Sequence, residues 1–379
     1  MIYADNAATT EISELSFEKM LPFLQAQFGN ASSQYSLGVR AKRAIEQARQ
    51  QVADAIGAHP SEVTFTSGGS EGNSWVLQGI LSRYNEQPIH IITSSIEHPS
   101  VLSACRVLEE RGVSVTYLPV DGVGLVSVFD LKSALRTDTK LVSIMLANNE
   151  IGTIQPITEI GELLRERGIL FHTDAVQAMG HIPVDANHMN VDFLTASAHK
   201  FNGPKGTGFL YIKSGLGITP IVFGGEQELG RRAGTENVAG IVALGYALEE
   251  SICVMGSEVE KKKLIAKMTV DELRASIPDI RINGEGADRL PGLLSIAFPK
   301  ASGEAMMHLL DMKGICVSTG SACYSGKDVP SHVLVSLGLT EQQVKSTIRV
   351  SYGRNNTEED VHTIVSVISD SYRKIIACK

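Results

Sequence analysis

Lys200 stands at the end of a predicted strand, within TASAHKFNGPKG, where Ser197 and His199 precede it and glycines follow. A lysine held at a strand end can form a Schiff base with an aldehyde, and the hydroxyl and imidazole beside it are placed to bind a phosphate. An isolated lysine in a loop is usually only solvated, so the interpretation depends on the whole Ser-x-His-Lys pattern. This segment indicates a site for an aldehyde that also carries a phosphate.

An aspartate and a glutamine lie upstream in HTDAVQ (172–177), again at a predicted strand end. Asp174 could pair with a protonated pyridine nitrogen and keep the ring an electron sink, and Gln177 could donate a hydrogen bond to a ring oxygen. A strand-end aspartate often only caps the following helix. Together with Lys200, these residues predict a cofactor site.

Three more polar or glycine-rich segments follow predicted strands. TSGGSE opens a helix, so the backbone N–H groups near Gly69 and the Ser70 hydroxyl would converge on an anion. The same segment could also form a tight turn that binds no ligand. His98 could stack on a flat ring, or could only precede a helix that begins with proline. Asn149, in NNEIG, reaches the same edge, and ligands of such sheets bind outside the carboxyl ends of the strands.

Cys323 lies in STGSACYSG (318–326), among serine, glycine and tyrosine. A free cysteine is more often a small buried hydrophobe, so these neighbours predict a mobile loop with a thiol available for chemistry. Cys316, in the apolar GICVS, is better explained by strand packing. The five cysteines are scattered and include no C-x-x-C pair, which argues against a disulfide framework and a thiolate zinc site, and no metal is predicted.

These segments belong to a regular alternation of predicted strands and helices. Runs rich in β-branched residues predict strands at 63–67, 90–94, 114–118, 141–146, 169–173, 192–197 and 208–212, and amphipathic patterns predict helices at 39–56, 99–111 and 157–167. The alternation is typical of an α/β fold with a mainly parallel sheet covered by helices on both faces.

The pattern changes near Gly240, where a long helical stretch begins and leads to shorter strands and helices. We therefore expect a large domain over residues 14–250 and a small domain formed by 1–13 and 251–379, which carries the Cys323 loop. The lysine run 261–263 is expected on a solvated helix face.

Length and composition restrict the class of protein. The 379 residues carry a net charge of −8, which argues against a broad nucleic-acid interface, and 43% of them are hydrophobic, which suffices for a substantial core. The amino terminus shows neither a signal nor a transit peptide, and no apolar stretch is expected to reach the roughly 18 residues of a membrane span. We therefore expect a cytoplasmic protein without direct nucleic-acid or membrane partners.

Nine segments, in order along nearly the whole chain, resemble the cysteine desulfurases, which are pyridoxal 5′-phosphate enzymes of the class V aminotransferase group. They are ADNAATT (4–10), FTSGGSE (65–71), IEHPSV (96–101), NNEIG (148–152), HTDAVQ (172–177), SAHKFNGPKG (197–206), RRAGTEN (231–237), STGSAC (318–323) and IRVSYGR (348–354). The STGSAC segment narrows the superfamily to the desulfurases. The resemblance implies fold type I of these enzymes, with a smaller α+β domain beside the main sheet.

The resemblance also implies which residues bind the cofactor and the substrate. The ring and aldehyde of the cofactor would be held by Lys200 as a Schiff base, Asp174 at the ring nitrogen, Gln177 at the ring oxygen and His98 stacked on the ring, with Asn149 nearby. The phosphate would be held by Gly69, Ser70, Ser197 and His199, together with Thr235 from the other subunit of a homodimer. Asn149 and Arg349 would bind the substrate carboxylate, a task that suits the planar fork of arginine.

The implied reaction converts L-cysteine to L-alanine and leaves the sulfur as a persulfide on the nucleophile Cys323, with Lys200 and His98 as the other catalytic residues. The thiol proton could go to His98 or to a substrate amine. The sulfur would pass to an acceptor protein, a scaffold or a thiolation enzyme, for iron–sulfur cluster assembly, transfer-RNA thiolation or DNA sulfur modification. The chain after Cys323 matches the longer-loop subgroup, which includes housekeeping and nitrogenase-linked desulfurases.

Some features depart from the family pattern, and other functions are compatible with parts of it. Ala31 and Tyr35 stand where the family has proline and histidine, and no scaffold-docking tail follows the helix predicted at 358–374. A selenocysteine lyase or aminotransferase of the same fold is one alternative, and a non-catalytic adaptor is another. A dinucleotide-binding enzyme is disfavoured because no G-x-G-x-x-G opens a βαβ unit.

Overall fold

The computed structural model describes residues 1–84, 87–319 and 330–378. The helices are α1 Glu14–Gln25, α2 Ser36–Ala55, α3 Gly69–Gly79, α4 Pro99–Glu110, α5 Val128–Ala134, α6 Ile157–Arg165, α7 Val238–Ser276, α8 Gly303–Asp311, α9 His332–Ser336, α10 Glu341–Lys345 and α11 Glu358–Ala377. The strands are β1 Ile2–Tyr3, β2 Val63–Thr66, β3 His90–Ser94, β4 Ser114–Leu118, β5 Thr139–Ser143, β6 Leu170–Asp174, β7 Phe193–Ser197, β8 Gly208–Ile212, β9 Arg281–Asn283, β10 Leu293–Ala297, β11 Ile315–Cys316, β12 Ser318–Thr319 and β13 Thr347–Ser351.

The larger sheet contains seven strands in the order β2-β8-β7-β6-β5-β3-β4. Strand β8 runs antiparallel to β2 and β7, and every other pair is parallel. All residues of β2, β3, β6, β7 and β8 are buried, as expected for a sheet that helices cover on both faces. The predicted α/β fold with a mainly parallel sheet is confirmed.

The predicted strand at 141–146 lies within the sheet, but β5 begins two residues and ends three residues earlier. The chain after β5 still follows β6, because the Ile144 N–H donates to the His172 carbonyl at 3.1 Å and the Leu146 N–H to the Asp174 carbonyl at 2.9 Å. The sequence pattern therefore located the hydrogen-bonded segment and placed the two ends of its regular strand two to three residues too late.

Adjacent residues of β8 show how the sheet divides the core. Phe209 packs with Phe171 and Phe201 on one face, and Leu210 packs with Trp75 and other buried residues on the opposite face. Burying side chains of this size stabilises the fold by about 1.5–3 kcal/mol each. The carboxyl ends of the parallel strands are therefore held by a rigid frame.

A second sheet, β12-β13-β10-β9, is antiparallel, and β1 pairs with β11 beside it. Its core includes Ile282, Ile296 and Ile348, packed against α11 and the second half of α7. Cys316 lies in β11 and is half-buried, in agreement with the predicted strand packing. Helix α7 continues through residue 250 without interruption, so the division into residues 14–250 and the remainder stays a prediction.

Two expectations about α7 are wrong. Lys262, which was expected in solvent, is only 3% exposed, and its ammonium pairs with Glu258 at 2.7 Å. An 18-residue window of α7 has a mean hydropathy of 1.6, so by length and composition this helix could cross a membrane, although no stretch of that kind was expected. Of this window, 61% is buried inside the protein, and packing of α7 against α1 and α2 accounts for its apolar composition.

Candidate active site

Lys200 ends a short 3₁₀ turn that follows β7 directly. Its Nζ donates hydrogen bonds to the carbonyl oxygens of Ala7 and Ala8, at 2.5 and 2.8 Å. The Ala7 carbonyl also accepts a hydrogen bond of 2.9 Å from Gln177 Nε2. The amino-terminal segment therefore forms a wall of the site and brings Lys200 and Gln177 to one carbonyl oxygen.

Asp174 is the last residue of β6 and is 5% exposed. Its Oδ1 accepts from the Val176 N–H at 3.0 Å, and its Oδ2 accepts from Asn73 Nδ2 at 2.6 Å. The carboxylate caps the turn after β6, as the structural alternative predicted, and it also lines the cavity beside Lys200, so its pairing with a ring nitrogen stays a prediction. Asn73 was not identified from the sequence.

The start of α3 forms the turn at which the sequence predicts anion binding. Gly68 precedes the helix with φ +143°, and a Cβ at this position would lie 3.1 Å from Ser197 Oγ. A Cβ on Gly69 would lie 2.7 Å from Val176 Cγ2. Glycines are therefore required for the backbone to approach Ser197 and Val176 this closely, which leaves the first N–H groups of α3 available to an anion.

His199 lies at the same end of the site. Its Nδ1 lies 3.1 Å from Thr9 Oγ1. Burial, with the nearby charges of Lys200 and Lys205, lowers the pKa of His199 to about 4. The imidazole is therefore neutral at neutral pH and keeps one N–H donor.

His98 is the N-cap of α4, and Pro99 is the first residue of that helix, as the structural alternative in the sequence predicted. The same side chain lines the cavity with Lys200 and Asp174, so capping and a role in the site are compatible. Burial lowers the pKa of His98, and the charge of Lys200 adds to this effect while Asp174 opposes it. Its imidazole is thus predominantly uncharged at neutral pH.

Arg349, in β13, is held by a carboxylate that the sequence analysis missed. Its Nη2 donates to Asp5 Oδ1 and its Nη1 to the Asn149 carbonyl, each at 2.8 Å. The Nε–H has no hydrogen-bond partner among the described residues, although the side chain is only 4% exposed. An additional carboxylate would satisfy this buried donor.

A cavity of about 300 Å³ brings these groups together. The predicted residues among its lining are Gly69, Ser70, His98, Asn149, Asp174, Gln177, Ser197, His199, Lys200 and Arg349. An adjoining cavity of about 390 Å³ lies at the α3 end and shares Gly69, Ser70, Ser197 and His199. Thr235 is exposed and does not line either cavity, and Cys323 lies outside the described residues.

Comparisons with known proteins agree with this arrangement. A family model described as Aminotransferase class-V matches residues 2–364. Cysteine desulfurase IscS of Methanosarcina thermophila is 47% identical over 377 residues, which cover 99% of this chain and 92% of that protein. Among solved structures, a NifS-like protein has a TM-score of 0.92 at 36% identity, covering 97% of this chain and 98% of its own. SspA, solved in complex with cysteine, has a TM-score of 0.83 at 36% identity, covering 93% of this chain and 98% of its own.

Proposed function

The chain belongs to the cysteine desulfurases of the class V aminotransferase family, which depend on pyridoxal 5′-phosphate, and we propose that it converts L-cysteine to L-alanine and passes the sulfur from Cys323 to an acceptor protein. One observation carries this proposal: a lysine, a buried carboxylate, a neutral imidazole and an arginine line one cavity. These are the groups needed to bind an amino acid by its amine and its carboxylate.

The residues present fit the cofactor. The glycine turn before α3 leaves backbone N–H groups for a phosphate, and Ser70, Ser197 and His199 add side-chain donors. Asp174 would face the ring nitrogen, His98 the ring and Lys200 the aldehyde. When bound, pyridoxal 5′-phosphate supplies an electrophilic carbon and a ring that takes up electrons from the carbon next to the substrate amine.

The protein's own groups orient the substrate and move its protons. Lys200 Nζ is held between two carbonyl oxygens at the amino-terminal wall, which keeps the amine inside the cavity for proton transfer. Arg349 would bind the substrate carboxylate with its remaining N–H donors, while Asp5 and the Asn149 carbonyl fix the plane of the guanidinium. The substrate is thereby bound at its two ends.

The flanks of the segment 320–329 support a role for Cys323. Ser318 pairs with Arg349 between β12 and β13, and Ser331, the second residue after the described chain resumes at 330, donates to Glu150 at 2.5 Å. Glu150 directly follows Asn149, so both flanks are anchored beside the proposed carboxylate-binding residues. These anchored flanks support the proposed role of Cys323 in this site.

The test compares Cys323→Ser with Cys253→Ser, because Cys253 is an exposed free cysteine. Without a nucleophile to accept the sulfur, Cys323→Ser should lose alanine and sulfide formation from L-cysteine by on the order of 10³-fold. Cofactor absorbance should persist in both variants, and Cys253→Ser should remain active. Normal sulfide release by Cys323→Ser would contradict the role of Cys323 and favour another class V activity.

We also propose a cytoplasmic homodimer in which Thr235 completes the partner's site. Thr235 is exposed and does not line either cavity, while Phe28, Phe223 and Leu229 leave 72%, 79% and 66% of their surface exposed. Such exposed apolar side chains fit a protein interface.

The four described cysteines are free thiols, which fits a reducing compartment. The acceptor would be a scaffold or thiolation protein, for example in iron–sulfur cluster assembly.

A further inference from the structure

A chain of hydrogen bonds joins Asp174 to His98 through two residues that have no role in the proposed function. Asn73 Nδ2 lies 2.6 Å from Asp174 Oδ2 and 2.9 Å from Ser100 Oγ. Ser100 Oγ lies in turn 2.8 Å from His98 Nδ1. Asn73 is 1% exposed, so these contacts are shielded from water.

The direction of the first link follows from the chemistry of the carboxylate. If the Asn73 amide were reversed, its Oδ1 would face Asp174 Oδ2 at the same 2.6 Å, and two acceptors would repel each other. The NH₂ group of Asn73 must therefore point to Asp174. The second N–H of the same NH₂ group donates a hydrogen bond to Ser100 Oγ.

The direction of the last link follows from that of the first. Because Ser100 Oγ accepts from Asn73, its own hydroxyl proton is available to donate to His98 Nδ1. The backbone N–H of Ser100 points to the same nitrogen, at 3.2 Å. Nδ1 thus faces two donors and must be the unprotonated nitrogen of a neutral ring, so that the ring proton is on Nε2.

We infer that Asn73 and Ser100 are positioning residues that fix His98 in the tautomer with its proton on Nε2. In this form the neutral ring can donate a hydrogen bond from Nε2–H, but Nε2 has no free lone pair with which to accept a proton. For the proposed desulfurase reaction, on which this consequence rests, neutral His98 is therefore excluded as the acceptor of the thiol proton. Burial and Lys200 keep the ring neutral by lowering its pKa.

The test is ¹⁵N NMR of histidine-labelled protein, with and without pyridoxal 5′-phosphate and with His98→Gln to assign the signals. We expect a pyridine-like Nδ1 and a pyrrole-like Nε2 for His98 in the wild type. Ser100→Ala should move both resonances toward tautomer-averaged values, since only the backbone donor remains. Ser100→Thr, which keeps the hydroxyl, should restore the wild-type signals, and Ser103→Ala, an exposed serine of the same helix, should leave them unchanged.

Two outcomes would overturn the inference: a proton on Nδ1 in the wild type, or a tautomer in Ser100→Ala that does not differ from the wild type. Both are measured in the cofactor-free protein and do not depend on turnover. A protein with the expected tautomer that forms no alanine from cysteine would instead contradict the proposed function. Loss of the fold in Ser100→Ala would be recognised by circular dichroism, and Asn73→Ser then provides the second variant, with the same shift expected.

Discussion

Glu97, directly before His98, is a carboxyl group without exposure to solvent. Its Oε1 accepts from Ser94 Oγ at 2.6 Å and from the Met145 N–H at 3.0 Å, while Oε2 has no hydrogen-bond partner among the described residues. Burial raises the pKa of Glu97 to about 8, and the charge of Asp174 contributes in the same direction. Glu97 is therefore mostly protonated at neutral pH and adds no second negative charge beside Asp174.

This protonation predicts a pH-dependent effect of Glu97→Gln. The folded pKa of about 8 lies above the ordinary 4.5, so between these values the unfolded chain releases a proton that the folded chain keeps. The free energy of unfolding then falls with rising pH, by about 1.4 kcal/mol per unit for one proton. Glutamine mimics the neutral acid, so the variant should gain stability relative to the wild type from about pH 5 to about pH 8.

Urea unfolding of both proteins across this range measures the effect. Glu110→Gln, at the exposed carboxyl end of helix α4, is the control for the same substitution at a solvent-exposed carboxylate. A stability difference between Glu97→Gln and the wild type that stays constant with pH would show that Glu97 is ionised in the folded protein.

At the scale of elements, the site depends on how β2, β6 and β7 end. The turn after β2 starts α3, Asp174 closes β6, and Ser197 closes β7. The sequence predicted these strand ends because each apolar run stops at polar or glycine residues. It could not identify Gly68 as the residue with φ +143°, because TSGGSE contains two glycines and only the approach to Ser197 distinguishes them.

Gly68→Ala should therefore weaken cofactor binding. The new Cβ would strain the backbone and lie 3.1 Å from Ser197 Oγ, so the turn that presents the α3 N–H groups must shift. Strain of this kind costs about 1–3 kcal/mol, and we expect the dissociation constant of pyridoxal 5′-phosphate to rise about tenfold, equivalent to about 1.4 kcal/mol.

Gly112→Ala is the control for strain alone, since Gly112 has φ +88° and a Cβ added there would have no atom within 4 Å. This variant should lose stability but keep the wild-type affinity, measured by titration of the absorbance. Equal affinities of Gly68→Ala and the wild type would mean that the turn does not hold the phosphate.

At the scale of the whole molecule, the segment that carries Thr235 is fixed to its own chain by ion pairs. Arg232 donates to Glu71, in the first turn of α3, at 2.9 Å, and the buried Glu228 pairs with Arg49 at 2.7 Å. These contacts hold the segment rigidly while Thr235 stays exposed. This arrangement suits a residue that serves a second copy of the chain.

Mixed dimers test whether Thr235 acts on the partner's site. The test dimer combines one Lys200→Ala chain with one Thr235→Ala chain, so only the Thr235→Ala chain has a site with Lys200. If Thr235 acts across the interface, this site receives the intact Thr235 of the Lys200→Ala chain. Such dimers, purified with two affinity tags, should show about half the wild-type activity per dimer. The reference is a dimer of one Thr235→Ala chain and one chain that carries both substitutions. If the mixed dimer is no more active than this reference, Thr235 acts in the site of its own chain.

By itself, the sequence determined the α/β class, the positions of the seven strands of the larger sheet, and ten residues that line the cavity. It could do so because strand burial leaves a regular apolar pattern and because Lys200, Asp174 and His98 stand in distinctive motifs. Only the tertiary structure revealed the contacts of Asn73, Ser100 and Asp5 with the site, because these are ordinary polar residues in the sequence. Asn73 and Asp174 stand 101 residues apart, and Asp5 and Arg349 stand 344 residues apart, so no local pattern could reveal these hydrogen bonds. Ser100 is close to His98 in the chain, but the direction of their hydrogen bond follows from Asn73, 27 residues before Ser100.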